Sequence, residues 1–296
     1  MEKKVIKNCI KKWNEKDDEN IKELKKRYKL WIKYNEEKEI CVKLLENFEY
    51  YGRQRVNFYL KKLHEKLIND YNISNENTVY SIIKNADGRA NSSMEYFIEY
   101  TQINKVSRKN RIEDIGRMKK PKVNQIVLID DCIGTGKTVK TYIEMYKDDL
   151  KNKKIYILVI YAIKEIADKL QKELLEMGYN IEIICLNKKM KAFTKEVFQD
   201  KDDKEIQEIK KKFILLSKKH NIPENFELGY GETEGLVAFY NNTPNNTLGI
   251  FWVDNDDNIA LFPRNRDSNR IGLKELRENR KKRLIENYKN RGRKIG

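Results

Sequence analysis

The period of apolar and polar positions changes along the chain. From Glu15 to Asp70, Ile21, Leu24, Tyr28, Leu30 and Trp31 recur at helical spacing between Lys and Glu, and a second helical stretch runs from Val56 to Ile68. The repeat is too short for a long coiled coil, so these helices, Tyr50-Tyr51 included, are expected to cap a core. Thr78 to Ile83 is a short β-prone run, and Asn85 to Ser93 is rich in turn residues. Met94 to Ile103 reads as a helix that Ser92 or Ser93 can cap. Then come a strongly apolar strand, Val123 to Ile129, and a helix, Thr138 to Tyr146. A second buried strand follows at Lys154 to Ala162, then an amphipathic helix, Ile163 to Met177, and a third strand from Asn180 to Leu186. Continuous apolar strands alternating with helices predict a parallel sheet covered on both faces. Lys188 to Asn221 reads as polar helix. Leu236 to Tyr240 and Gly249 to Val253 read as strands, with the turn-rich Asn241–Thr247 between them. The expected fold class is α/β, a parallel sheet flanked by helices, with an N-terminal helical cap and a C-terminal extension. The expected divisions are 1–75 (helical, packed on the core), 76–268 (α/β domain) and 269–296 (basic tail).

Composition adds charge to this picture. The 296 residues are 39% hydrophobic and 36% charged, with a formal net charge of +16. Much of that charge is local: from Asn269 to Gly296 there are eleven Lys and Arg against three Glu. Such a block attracts polyanions through counterion release, so the tail is a candidate nucleic-acid contact; it also suits a charged terminal helix. The four Cys are scattered and only two His are present, which argues against a structural zinc site and suits a reducing compartment. Without a signal core or an apolar run of about 20 residues, the expectation is a cytoplasmic protein with no membrane partner.

The chemistry concentrates where the first long strand ends, in Ile126-Val127-Leu128-Ile129-Asp130-Asp131-Cys132-Ile133-Gly134-Thr135-Gly136-Lys137-Thr138. A buried strand carries two carboxylates to its carboxyl end, where open parallel sheets bind ligands. The Gly- and Thr-rich turn and the helix start behind it offer N–H groups and hydroxyls to a phosphate. A nucleotide-triphosphatase P-loop is the rival reading, because Gly134-Thr135-Gly136-Lys137-Thr138 ends like one. Its opening Gly position, however, is Asp131, a carboxylate facing the phosphates it should cradle.

At these residues the chain resembles the phosphoribosyltransferase family, whose signature is an apolar strand, two acidic residues, three further residues and Thr-Gly-any-Thr. The resemblance implies that Asp130 and Asp131 hold the ribose hydroxyls of phosphoribosyl pyrophosphate (PRPP). Ile133, Gly134, Thr135, Gly136, Lys137 and Thr138 would hold its 5′-phosphate. It also implies Mg2+ bound with PRPP; no metal site built from protein side chains is assigned. Asp87-Gly88-Arg89-Ala90-Asn91-Ser92-Ser93 stands where the family has a pyrophosphate loop, with Gly88 and Ser92 as anion contacts and Arg89 neutralising the leaving group; a plain loop and N-cap is the other reading. Arg108 to Lys120 matches the place of the family's mobile cover, or is a basic surface loop.

The C-terminal segments Leu228–Gly231, Leu236–Phe239, Asn242–Leu248, Phe251-Trp252 and Leu261–Arg264 look like the phosphoribosyltransferase-like proteins of bacterial anti-phage and conflict loci, some retron-associated. The resemblance spans about residues 40–268. Leu248-Gly249 departs from a frequent Leu-Pro there. Asn242, Asn245, Asn246 and Arg264 either line a site opposite the ribose or fix a turn and an ion pair. The implied function is binding of PRPP or a related nucleotide, with pentosyl transfer, in a defence effector acting on nucleotides or nucleic acid beside a partner protein. The alternative is a non-catalytic nucleotide-sensing and nucleic-acid-binding module.

Overall fold

A computed structural model describes residues 2–13, 19–74, 76–84, 92–118 and 122–264. In chain order the elements begin with helices α1 (Glu2–Trp13), α2 (Glu19–Tyr34) and α3 (Lys38–Asn47), strand β1 (Glu49–Tyr51) and helix α4 (Arg53–Tyr71). Next are β2 (Thr78–Ile82), α5 (Ser92–Ile103), β3 (Gln125–Ile133), α6 (Lys137–Met145), α7 (Lys147–Leu150), β4 (Lys154–Ile163), α8 (Lys164–Glu176), β5 (Asn180–Cys185) and β6 (Lys188–Lys189). Helices α9 (Asp203–Lys219) and α10 (Glu224–Glu227) and strand β7 (Val237–Phe239) follow. The chain forms two compact units, Arg53–Lys191 and the described parts of Met1–Gly52 with Ala192–Gly296.

The 53–191 unit is the parallel α/β sheet, in the order β2-β3-β4-β5, with β6 paired to the end of β4. Tyr80 lies opposite Val127, Leu128 opposite Ile157, and Ile157 opposite Ile183. β3 and β4 are the inner strands and the most continuously apolar, because both of their faces are covered. Val139, Tyr142 and Ile143 of α6 and Ala167, Leu170 and Leu174 of α8 cluster with Ile126, Leu128, Ile155 and Ile157. α4 and α5 pack on each other, α5 against β3 and α4 against β4 and β5. The last residue of α4, Tyr71, sets its ring 5.2 Å from Tyr156 and its hydroxyl on Glu182, near the starts of β4 and β5. α4 therefore runs antiparallel to the strands, and its first turns lie at the carboxyl end of the sheet.

The other unit is an aromatic core wrapped by helices. Phe48 stacks on Phe262 at 4.6 Å and meets Phe251 at 4.8 Å, while the Trp13 indole N–H donates to the Phe48 carbonyl at 2.8 Å. Tyr50-Tyr51, expected to be helical, lies in β1, which pairs in parallel with β7. That pairing joins segments almost two hundred positions apart, so local periodicity does not reveal it. Gly249–Phe251 is a 3-10 turn rather than a strand. The polar stretch from Lys188 becomes helical only at Asp203, where Asp202 and Glu205 form a reciprocal capping box. Gly249, where the resemblance often has proline, sits against α10: a Cβ there would come within 2.6 Å of the Phe226 carbonyl oxygen.

Gly229 and Gly178 both have positive φ, +75° and +90°, but different surroundings. A Cβ on Gly229 would overlap the Asn246 carbonyl, whereas one on Gly178 meets nothing within 4 Å. Gly178→Ala is expected to cost only the left-handed backbone penalty, roughly 1–2 kcal/mol. Gly229→Ala is expected to cost clearly more, because the overlap adds to that penalty. Urea unfolding of the two variants checks this; equal losses would refute the packing assigned to Gly229.

Candidate functional site

β3 continues beyond Ile129 to Ile133, so the two carboxylates stand within its last residues. Asp130 pairs with Val159, Cys132 with Tyr161 and Ile133 with Ala162. As residues of an inner strand the two acids are enclosed, Asp130 at 7% and Asp131 at 9% exposure. Each is turned back onto the main chain. The Asp131 N–H donates to Asp130 Oδ1 at 2.9 Å, and the Cys132 N–H donates to Asp131 Oδ1 at 2.7 Å.

A third side chain joins them. Ser93, fully buried in the first turn of α5, hydrogen-bonds Asp130. Its hydroxyl also donates to the Ile83 carbonyl at 2.8 Å, just past β2. The single Ser93 proton thus serves both the Ile83 carbonyl and Asp130, and its contact with Asp130 favours the ionised carboxylate. Burial, and then the Asp131 carboxylate, push Asp130 well above the usual carboxylate range, outweighing hydrogen bonds that favour its ionised form. A protonated Asp130 still accepts the Asp131 N–H on Oδ1, and its hydroxyl can donate to the Asp131 carboxylate. Sequence reasoning assigned Ser93 only a capping role, because its approach to Asp130 depends on how α5 packs against β3.

The turn after β3 is short. Ile133 is still in the strand and 1% exposed, its side chain in the core, so it anchors the turn and offers no side chain to a ligand. Gly134 and Gly136 are buried, while Thr135, Lys137 and Thr138 are exposed. Gly136 precedes α6 with φ +74° and no side-chain cap, which leaves the first-turn N–H groups of α6 to water or a ligand, except that Lys137 N–H lies 3.3 Å from Thr135 Oγ1. A Cβ on Gly136 would stand 3.0 Å from Leu170. The glycine is thus needed for its left-handed backbone and for close approach to α8.

The remaining sequence candidates divide. Gly88 and Arg89 lie outside the described residues, as does the basic tail, and Ser92 opens α5. Residues 108–118 of the expected cover are fastened to the outer edge of β2. Arg111 bridges Tyr80, the Ile112 N–H donates to the Tyr80 carbonyl at 2.9 Å, and Asn110 donates to the Thr78 carbonyl at 2.9 Å. Asn245, Asn246 and Arg264 belong to the other unit. The Asn245 carbonyl accepts from Tyr230 and the Asn246 carbonyl from Gly235, and Arg264 lies over Trp252 at 5.8 Å. Among the described residues no group of three or more His, Cys, Asp or Glu is arranged to hold a metal ion, and no helix is long and apolar enough to cross a membrane.

A parallel sheet whose inner strand ends in a buried acidic pair, followed by a glycine–threonine turn and a bare helix N-terminus, defines a phosphoribosyltransferase-type α/β protein. The chain belongs to the PRTase-CE family, whose model matches residues 28–264. Among solved structures it is similar to the xanthine-guanine-hypoxanthine phosphoribosyltransferase of Helicobacter pylori. The identity is 11% and the TM-score 0.34, over 48% of this chain and 85% of that one. The orotate phosphoribosyltransferase of Aeropyrum pernix is 13% identical with a TM-score of 0.33, over 50% of this chain and 75% of that one. No curated protein matches it.

Because the folded state raises the Asp130 pKa, it holds a proton that the unfolded chain releases near pH 4. Stability from this group is complete below about pH 4 and declines as pH rises toward the folded value. Asp130→Asn keeps an acceptor for the Asp131 N–H and removes the buried charge. It is expected to melt higher than wild type at pH 8, with the advantage shrinking toward pH 4. A constant difference in melting temperature across that range would rule out the raised pKa.

Proposed function

We propose that this protein binds PRPP, or a related ribose phosphate or nucleotide, at the end of β3 and transfers its pentosyl group. The observation that carries the reading is the buried Asp130–Asp131 pair at the carboxyl end of an inner parallel strand, two residues before a glycine–threonine turn. Neutral vicinal hydroxyls are good partners for such a pair: they donate hydrogen bonds without adding a buried charge. The turn 134–136 and the first turn of α6 are positioned for the 5′-phosphate, with Thr135 and Thr138 as exposed hydroxyls and Lys137 as an exposed cation.

In the reaction, the bond from the anomeric carbon to pyrophosphate breaks and the acceptor forms a bond to the same carbon. The acceptor's proton is lost and pyrophosphate leaves with the bonding pair. Oxocarbenium character develops on the ribose, and the carboxylates beside its hydroxyls stabilise it electrostatically. Two carboxylates without a third ligand fit a hard cation held mainly by substrate oxygens and water, so Mg2+ would arrive with PRPP and neutralise the departing pyrophosphate. Arg89 and Gly88, in the segment before α5, are the residues we assign to that leaving group. The acceptor is a base, nucleotide or nucleic-acid-linked group. The C-terminal motifs support a role as effector in bacterial anti-phage defence, retron-associated and beside a partner protein, and the neighbouring genes test it.

Asp130→Asn combined with Asp131→Asn is expected to abolish PRPP binding in calorimetry with Mg2+ while the protein stays folded. Unchanged affinity would remove the pair from the site. Binding without pyrophosphate release, for any acceptor class, would leave a sensor rather than a transferase. Lys137→Ala is expected to weaken phosphate binding less than Gly136→Val does. Loss of all binding in Lys137→Ala together with ATP hydrolysis by the wild type would instead support a P-loop.

The eleven Lys and Arg from Asn269 onward form a second, independent binding element for nucleic acid. If about five phosphates are neutralised, affinity for duplex DNA falls with salt at a log–log slope of roughly −4. Truncation after Ser268 is expected to flatten that slope and leave PRPP binding intact. Superimposable filter-binding curves would take the tail out of the functional account.

A further inference from the structure

The first half of α4 carries a surface that the phosphoribosyl site does not use. Phe58 is 57% exposed, an unusual state for phenylalanine, and with Leu186, 39% exposed just beyond β5, it lines a groove of about 430 Å³. Tyr59 borders the same groove. The rings are dressed with cations: Lys62 Nζ lies 5.9 Å from the Phe58 centroid, and the Arg55 guanidinium 5.6 Å from that of Tyr59. From Arg53 to Lys66 the helix has five Lys and Arg against one Glu. Arg53 pairs with the largely buried Glu99 at 3.8 Å, but Lys62–Glu65 and Lys66–Asp70, both at 2.6 Å, join side chains more than 40% exposed, so a polyanion can exchange with these two at little cost.

We propose that this face binds single-stranded nucleic acid, with an unpaired base stacked on Phe58 and the adjoining phosphates on Lys62 and Lys66. An exposed ring with cations one helical turn apart beside it is the chemistry that single strands require, since every unpaired base has a π-face and every link a charge. A duplex keeps its base faces covered and cannot use the ring. A neutral or basic protein segment would use the apolar groove but gains nothing from the excess of positive charge.

The surface is also continuous with the carboxyl end of the sheet. Two residues after Leu186, Lys188 and Lys189 of β6 pair with Ala162 and Ile163, and Ala162 in turn pairs with Ile133 of β3. At about 4.8 Å per strand, β6 lies roughly 10 Å from the turn after the acidic pair. A strand seated on Phe58 and crossing Leu186 toward β6 would bring a nucleotide to that turn. This last step rests on the phosphoribosyl reading; the binding surface does not.

Fluorescence anisotropy of the full-length protein with a labelled short oligothymidylate tests the surface. Phe58→Ala is expected to weaken binding by roughly 5- to 100-fold at fixed salt, with the salt slope unchanged. Phe58→Trp should retain binding, and Lys62→Glu should weaken it and flatten the slope. Phe58→Ala should not alter binding of a duplex of equal length. Phe58 is exposed, so melting temperatures should match wild type, and PRPP calorimetry on the same variants keeps this test separate from the phosphoribosyl one. Wild-type affinity for oligothymidylate in both Phe58→Ala and Lys62→Glu overturns the proposal. So does a concentration-dependent self-association that Phe58→Ala abolishes while oligothymidylate binding is unaffected; that result would make the face an interface between copies of the chain.

Discussion

Two carboxylates side by side in the interior of a sheet are an expensive arrangement, and the order of the 53–191 unit follows from how that cost is met. Desolvation and mutual repulsion both act against ionising Asp130. The compensation comes from elements that must all be in place. β3 must be an inner strand so that its carboxyl end is enclosed, and its own next N–H groups must turn back to the acids, as Asp131 and Cys132 do. α5 must bring buried Ser93 to Asp130, and Ser93 in turn must be fixed by the Ile83 carbonyl at the end of β2. The turn that follows must be short enough to start α6 at once, which requires the left-handed Gly136 lying against Leu170 of α8. The acids therefore depend on β2, β3, α5 and α8 together, and a change in the packing of any of them reaches the site.

Much of this was legible locally and some of it was not. The apolar runs that became β3, β4 and β5 and the amphipathic helix α8 follow from periodicity, because strands covered on both faces and helices covered on one have distinct patterns. The acidic pair and the Gly–Thr turn were legible as a motif. The extent of β3 was not: Asp130, Asp131 and Cys132 are not strand-formers, and their pairing with Val159 and Tyr161 is imposed by the longer neighbour β4. Ser93 escaped for a related reason. In sequence it is one of two adjacent serines before a helix, and only the docking of α5 separates its role from that of a cap.

The unit containing the chain's first segment was least legible. Glu49-Tyr50-Tyr51 lies between two helices and has only three residues, too few for alternation to register. Its strand character comes entirely from β7, almost two hundred positions later. Gly249 makes the same point. Read alone it is a departure from a Leu-Pro pattern, yet the space beside the Phe226 carbonyl admits no Cβ, so the departure belongs with the local packing of α10.

The position of the site in the sheet also bears on which ligand chemistry suits it. A cation placed directly on the pair would require Asp130 to give up its proton inside the protein, against both burial and its neighbour. A vicinal diol makes no such demand, because a hydroxyl donates to an ionised carboxylate and accepts from a protonated one. Under the proposed reading, the burial that raises Asp130 therefore favours a neutral ligand bearing hydroxyls over a bare cation at the end of β3.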